Sequence, residues 1–419
     1  MNIIRSFVSR FIYHSIYACL FLSSMRNGLR SRGKKDVVHF SAPYAGQKIL
    51  LLALYQKGRI RDDVLALLRA AKSLGVYVIG VNTLKLSAPD DYRDYLSCYI
   101  ERFNFGRDFG SYKAGFSYIY SQEHAAHCPR LLMLNDSVFF SEKHVLKFLK
   151  EMLESDFEVL GATENHEVEY HLGSFCIAMS HAVLNSGKIR EYWRNYKCSD
   201  VRPQVIKRGE MGLTKALRAA VASPDSIGAL YDVTYAVNKL RSDPELFEAV
   251  ATLSRCSPTF WPTFSFSEVS RALYGKYLHR KLPTDEIAEG DEDSVETVGL
   301  GALASGFKQV ALGLEPGPVN EDGPLEELVN RKIISDFAAS FSRGSQIHQN
   351  GPFLHRMGLA IIKIDGLYRG VFNSEDVEMI AEDLVPEQRD SFRRIMYARQ
   401  PGDISYFGWK RSAFNRGLI

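Results

Sequence analysis

Short, continuous apolar runs alternate along this chain with stretches whose apolar residues recur at helical spacing. Lys48 to Tyr55 (K-I-L-L-L-A-L-Y) is one such run and predicts a strand buried on both faces. Gly58 and its polar neighbours make a turn. Asp62 and Asp63 then open a helix with Val64, Leu67, Leu68 and Ala71 on its apolar face, closed by Gly75 just past its end. Val76 to Val81 predicts a second strand. Strand, helix and strand form a βαβ unit, whose crossover is expected to be right-handed.

The alternation continues. A helix near Asp91 to Leu96 precedes a short strand at Cys98 to Phe103, and a helix runs through Phe116 to Tyr120 before a strand at Arg130 to Leu134. Ser141 caps a helix with Val145, Leu146, Phe148, Leu149 and Met152 inward. Strands at Phe157 to Ala162 and Ser174 to Met179, a helix from about Ala182 to Tyr196 and another after Gly209 carry the pattern to about Ala222. This reads as one α/β domain. Beyond it, Pro283 to Glu296 and Gly313 to Gly323 are polar, acidic and glycine-bearing, and read as loops. Leu359 to Ile364 and helices at Ser374 to Leu384 and about Gln388 to Tyr397 form a further ordered section.

The first residues differ in character. Ile4, Phe7, Phe11, Ala18 and Leu22 fall near helical spacing, Arg10 and His14 interrupt the apolar stretch, and Arg26, Arg30, Arg32, Lys34 and Lys35 follow it. A bilayer-crossing helix needs about 20 uninterrupted apolar residues, and a signal peptide carries its charge before the apolar region. The pattern fits a basic amphipathic helix on an anionic membrane surface, or a helix packed on its own domain or a partner.

Composition narrows the class a little. The 419 residues are 46% hydrophobic and 24% charged with a net charge of +3, an ordinary globular balance that gives no reason to expect nucleic acid. The six cysteines form no C-x-x-C pair, so neither zinc nor a disulfide framework is indicated, and a reduced, cytoplasmic setting is the default.

Candidate chemistry concentrates between Asn104 and Phe140. Gly106 to Ser111 reads as a loop opening a helix, where backbone N–H groups are free for phosphate. The run Leu131 to Leu134 stops at Asn135-Asp136-Ser137, as a buried parallel strand does when it delivers ligands to the rim of an α/β sheet. Asp136 there suits Mg²⁺ or Mn²⁺, or else caps a turn. Asp108 suits a base or ribose, with Arg107 or Lys113 against phosphate; an Arg107–Asp108 pair bracing its own loop is the alternative. Glu210 and Glu164 are candidate proton acceptors for a sugar transfer, Glu210 first. Tyr170, His171, Ser174 and Phe175 read as an acceptor pocket, and the five-residue spacing of His166 and His171 does not suit zinc on one helical face.

The succession N-x-G-x-D-F-G-x-x-K-x-G (Asn104 to Gly115), L-x-L-N-D-S (Leu132 to Ser137), E-N (Glu164, Asn165), H-L-x-S-F (His171 to Phe175), E-x-G-L-T (Glu210 to Thr214) and I-K (Ile362, Lys363) resembles the rhamnan synthesis F family of bacterial glycosyltransferase-like proteins. These blocks span roughly residues 48 to 230 and 350 to 375. The resemblance implies an α/β, GT-A-like nucleotide-diphosphosugar transferase with a Rossmann-like mixed sheet, an N-terminal amphipathic helix and a mainly helical C-terminal extension. It implies Asn104, Gly106, Asp108 and Lys113, with Arg107 and Asn135, on the nucleotide-sugar, Asp136 on diphosphate or a divalent metal, and Lys363 on the acceptor side with His171 and Ser174. The expected activity is inverting transfer of rhamnose or another deoxysugar to a growing bacterial surface polysaccharide. The acceptor would be glycan or lipid-linked glycan at the inner membrane face or on membrane-bound assembly partners. A non-catalytic glycan-binding subunit of the same fold is the alternative, and a nucleotidyltransferase ranks last. The expected organisation is a membrane-associating segment (1–35), a transferase domain (36–240), an insertion (241–350) and a C-terminal section returning to the catalytic domain (351–419).

Overall fold

A computed structural model of the chain describes residues 2–252 and 323–419. The acidic stretches expected as loops at 283–296 and 313–323 lie outside the described residues, except Gly323, which opens a helix. The chain divides into two compact units, one of residues 1–232 with 345–419 and one of residues 233–344. The second begins and ends a few residues before the expected insertion boundaries. Its described helices are α9 (Val233–Ser242), α10 (Pro244–Thr252) and α11 (Gly323–Phe341), with Leu240, Phe337 and Phe341 buried.

The first unit is built on an eight-stranded mixed sheet. In chain order its strands are β1 (Val37–Ser41), β2 (Ile49–Leu54), β3 (Tyr77–Asn82), β4 (Cys98–Glu101), β5 (Arg130–Asn135), β7 (Val159–Gly161), β10 (Cys176–Ser180) and β11 (Ile227–Ala229). Their spatial order is β1-β4-β3-β2-β5-β10-β7-β11. β4, β3, β2 and β5 are parallel neighbours, β11 pairs in parallel with β7, and β1 and β10 run antiparallel to their neighbours. Every residue of β2, β3 and β5 is buried, which explains their continuous apolar runs: helices cover both faces.

On one face lie α2 (Asp62–Ser73) and α4 (Glu142–Glu154). On the other, α3 (Arg107–Ser121) brings Phe109, Tyr112, Phe116 and Ile119 into a core with Ile49, Leu51, Met133 and Trp193. Trp193 stacks on Phe116 with ring centroids 4.4 Å apart. The single helix expected over 182–196 is two, α5 (His181–Asn185) and α6 (Gly187–Asn195), because Ser186 ends one and accepts the Ile189 N–H to cap the next. The segment expected near Asp91 to Leu96 is only a 3₁₀ turn at Pro89–Tyr92, and Leu146 on α4 faces solvent.

Two small ribbons complete the frame. β6 (Val138–Phe140) pairs with β12 (Ile361–Lys363), and β8 (Glu164–Asn165) pairs with β9 (His171–Leu172). After α7 (Arg202–Val205) a π-type turn at Ile206–Met211 leads into α8 (Gly212–Arg218). The returning segment adds α12 (Gln346–Gln349), α13 (Gly351–Arg356), α14 (Ser374–Asp383) and α15 (Pro386–Tyr397), then α16 (Gly402–Ser405) and α17 (Gly408–Phe414). Phe139 of β6 enters its core beside Ile362, Val377, Ile380 and Phe392.

The N-terminal helix α1 (Asn2–Ser31) has two apolar faces. Ile16, with Ile12, Tyr13, Tyr17 and Leu20, packs against Ala413 and Leu418. Phe7, Phe11, Leu22, Met25 and Leu29 form a separate exposed stripe. No helix among the described residues is long and apolar enough to cross a membrane.

Candidate active site

The C-terminal ends of the parallel strands share one rim, and buried polar groups brace it. Asn82 ends β3 and accepts the Gln56 N–H at 3.0 Å, while its amide donates to the Gln56 carbonyl at 2.9 Å and to Tyr99 Oη at 3.0 Å. Asp136 follows β5, and its Oδ2 accepts the Tyr55 N–H at 2.7 Å and the Gln56 side-chain amide. Arg61 donates to the Asp136 and Val138 carbonyls at 3.2 and 2.6 Å and forks onto Asp63 with two contacts of 2.9 Å. Burial raises the Asp136 carboxyl; the Gln56 and Tyr55 donors and the Arg61 cation oppose it.

A metal ligand needs a lone pair facing an open site. Asp136 is buried with Oδ2 doubly occupied, and Asn135 Oδ1 takes the Ser137 hydroxyl at 2.6 Å. Oδ2 of Asp136 is thereby committed to bracing the strand end, and a Mg²⁺ or Mn²⁺ ion held by Asp136 would take Oδ1.

Asp108 holds the more open position. It lies in the first turn of α3 and accepts from Asn135 Nδ2 at 2.9 Å. Burial and the nearby Asp136 carboxylate push it up to about 6, against the pull of Lys363 and Arg107. Gly106 and Arg107 before it both have positive φ, +89° and 52°. A Cβ on Gly106 would stand 2.7 Å from Cys198 Cβ, so only glycine fits.

Part of the expected phosphate cradle is spent within the protein. The Gly106 N–H donates to Asp200 Oδ1 at 2.7 Å, and Asn104 gives its carbonyl to Asn27 Nδ2 at 3.1 Å. Lys113 Nζ donates to the Arg194 and Tyr196 carbonyls at 3.1 and 2.6 Å, closing the C-terminus of α6. Of the expected donor set, Arg107, Asp108, Asn135 and Asp136 meet at the rim.

Glu210 rides on the π-type turn, where Gly209 lets the backbone press within van der Waals range of Phe109. It accepts from Ser174 Oγ at 2.9 Å and faces His171 Nε2 at 3.6 Å. Burial would raise its carboxyl, but His171, Ser174 and Lys363 together hold it below the usual range. Burial likewise opposes charge on His171, yet Glu210 and the Glu169 carbonyl raise it. His171, Ser174 and Lys363, expected on the acceptor side, are thus the surroundings of Glu210. Glu164 keeps different company: Gln346 donates to it at 3.3 Å and His166 Nε2 lies 3.5 Å away.

The returning segment supplies groups that sequence reasoning missed. Asp365 follows β12, two residues after Lys363, and binds Arg369 Nε at 2.5 Å with His348 Nε2 at 3.6 Å. Burial would raise the Asp365 carboxyl, but His348, Arg369 and Lys363 hold it well below its usual range. Arg107 and Arg202 are within Coulombic reach of one another and of Arg369 and Asp365; burial and the neighbouring arginines lower both guanidiniums. The i, i+4 spacing of Asp365 and Arg369 just past an apolar run was a readable signal. Arg61, Asn82 and Arg202 had none.

Residues 76–279 match the family model described as rhamnan synthesis protein F. This segment is similar to that family. The family segment begins one residue before β3 and carries Asp108, Asn135, His171 and Glu210. An uncharacterised protein, y4gN of Sinorhizobium fredii, is 25% identical over 223 residues, covering 51% of this chain and 58% of the relative. Virulence protein VirA of Vibrio anguillarum is 31% identical over 136 residues, 31% of this chain and 43% of that protein. The chain therefore spans about half the length of the curated relatives it matches. Among solved structures, the mannosyltransferase Ktr4p of S. cerevisiae aligns at a TM-score of 0.27 and 11% identity, over 48% of this chain and 73% of that one. A likeness that slight says nothing about the reaction.

Proposed function

We propose that this protein is a GT-A-like glycosyltransferase of bacterial polysaccharide synthesis, moving rhamnose or another deoxysugar from a nucleoside-diphosphate donor to a growing glycan. The family match supports the polysaccharide context. The observation that carries the chemistry is the meeting of Arg107, Arg202, Arg369 and Lys363 with Asp108, Glu210 and Asp365 at the sheet rim. Three guanidiniums and an ammonium gathered around these carboxylates would neutralise a leaving diphosphate electrostatically.

Inverting displacement needs one carboxylate to take the acceptor hydroxyl's proton. Asp108, pushed up to about 6, is matched to that task, whereas Glu210 is held ionised and is a weaker base. On this reading Asp108, first expected on the nucleotide-sugar, accepts the proton, and Glu210, first expected as the base, joins His171 in orienting the acceptor. The exposed stripe of α1, flanked by Arg26, Arg30, Arg32, Lys34 and Lys35, would hold the enzyme against an anionic bilayer carrying a lipid-linked acceptor.

The test is a screen of uridine and deoxythymidine diphosphate sugars with the full chain, reading calorimetric binding, donor hydrolysis and transfer to lipid-linked glycan. Binding of one donor class, lost in Arg369→Ala, is expected. Absence of binding across all donors would defeat the proposal.

A further inference from the structure

Away from the rim, three side chains from three helices converge on one point. His144 lies in the first turn of α4, His355 near the end of α13, and Asp383 is the last residue of α14. His144 Nε2, His355 Nε2 and Asp383 Oδ2 all lie within 4.8 Å of one another. Asp383 Oδ2 is 3.1 Å from His355 Nε2 and 3.9 Å from His144 Nε2. All three atoms are buried, and none makes a hydrogen bond.

The tautomer sharpens this. His355 Nδ1 lies 3.2 Å from the Leu359 carbonyl oxygen, which only accepts, so Nδ1 carries the proton. With the ring singly protonated, Nε2 presents a lone pair, and a lone pair 3.1 Å from a carboxylate oxygen is repulsive unless a proton or a metal ion lies between them. A ligating imidazole held through its other N–H by a backbone carbonyl is the usual outer support of a metal site. Lys143 Nζ engages Asp383 Oδ1 at 2.5 Å, fixing that carboxylate and leaving Oδ2 to point inward. His355 is 0% exposed, whereas the His144 and Asp383 side chains are 19% and 28% exposed.

We propose that His144, His355 and Asp383 bind a divalent transition-metal ion of the Zn²⁺ class. Two imidazoles and one carboxylate select Zn²⁺, Co²⁺ or Fe²⁺ over Mg²⁺, which prefers all-oxygen ligands. Ligand atoms around tetrahedral zinc stand about 3.3 Å apart; the His355–Asp383 contact already matches, and metal binding would draw the His144 ring toward the other two. The ion ties α4, which packs on β5, to α13 and α14, which flank the Lys363–Arg369 stretch. Its role is to secure the returning segment, independent of the chemistry proposed at the rim.

The experiment uses the full chain, stripped with chelator and dialysed. Zn²⁺ is titrated by calorimetry, bound metal is measured by elemental analysis, and Co²⁺ loading is followed by its visible spectrum. One ion per chain, a four-coordinate cobalt spectrum and a higher melting temperature with Zn²⁺ are expected. His144→Ala, at a partly exposed position, should weaken Zn²⁺ binding at least about tenfold and abolish the thermal shift, while His166→Ala leaves both unchanged. Substoichiometric binding, or equal binding by wild type and His144→Ala, would overturn the site in favour of a plain His–Asp–Lys ion cluster.

Discussion

Asn135 Nδ2 donates to Asp108 Oδ2 over 2.9 Å, and this hydrogen bond joins the C-terminal end of β5 to the first turn of α3. It holds Asp108 in a place where burial and Asp136 raise its proton affinity. A carboxyl with a raised folded pKa contributes stability below its unfolded value of 3.8 and loses it as pH rises through about 6. Asp108→Asn should therefore raise the melting temperature at pH 8, with little gain near pH 3.8. It should cut sugar transfer by about 10²–10⁴-fold and remove an acidic limb near pH 6 from the rate profile. Thermal melts and pH–rate curves on one preparation check both.

The Glu210–His171 pair makes a different demand on pH. Glu210 is depressed from 4.5, so its contribution is present above that value and lost as pH falls through its lower folded pKa. His171 is raised from 6.5, so its contribution is present below that value and lost as pH rises through its higher folded pKa. Both are fully present between pH 4.5 and 6.5. His171→Gln should cost about 1–3 kcal/mol there and less at pH 9, measured by denaturant melts.

Arg107 occupies positive φ without being glycine. Relieving that conformation with Arg107→Gly should recover about 1 kcal/mol of local strain, offset by the greater chain entropy of glycine. Stability should change little while donor affinity falls about tenfold or more. A large stability loss with unchanged donor binding would assign Arg107 to structure instead.

Asp136 and Arg61 should behave as parts of the frame. Arg61→Ala leaves Asp63 buried and unpaired and frees two carbonyls, a loss of about 3–5 kcal/mol. Asp136→Ala should destabilise as well, so any fall in activity should track unfolding. Unfolding curves for both variants decide the matter.

The exposed α1 stripe predicts binding to vesicles containing phosphatidylserine, weakened by salt and by Phe7→Ser with Phe11→Ser. Phe7 is 70% exposed, so the melting temperature should not move. Equal binding by wild type and variant would remove the membrane role.

Much of the frame was readable because its signals are local. The apolar runs of β2, β3 and β5 report burial on both faces, the Val64–Leu67–Leu68–Ala71 stripe reports one covered face, and Gly75 reports a left-handed helix end. Asp108, Asn135 and Glu210 were also identifiable, since each interrupts or follows a regular element. What those groups do was not legible. Proton affinity depends on neighbours distant in sequence: Lys363 stands over 150 residues from Glu210 in the chain, yet helps hold its charge. The same distance hid Arg202, Arg369 and the His144–His355–Asp383 cluster, and only the folded chain brings the Asp200 carboxylate to the Gly106 N–H. Periodicity along the chain determined which segments would be strands and helices. Only the tertiary fold, by setting burial and through-space distance, decided which carboxylate keeps a proton and which stays charged.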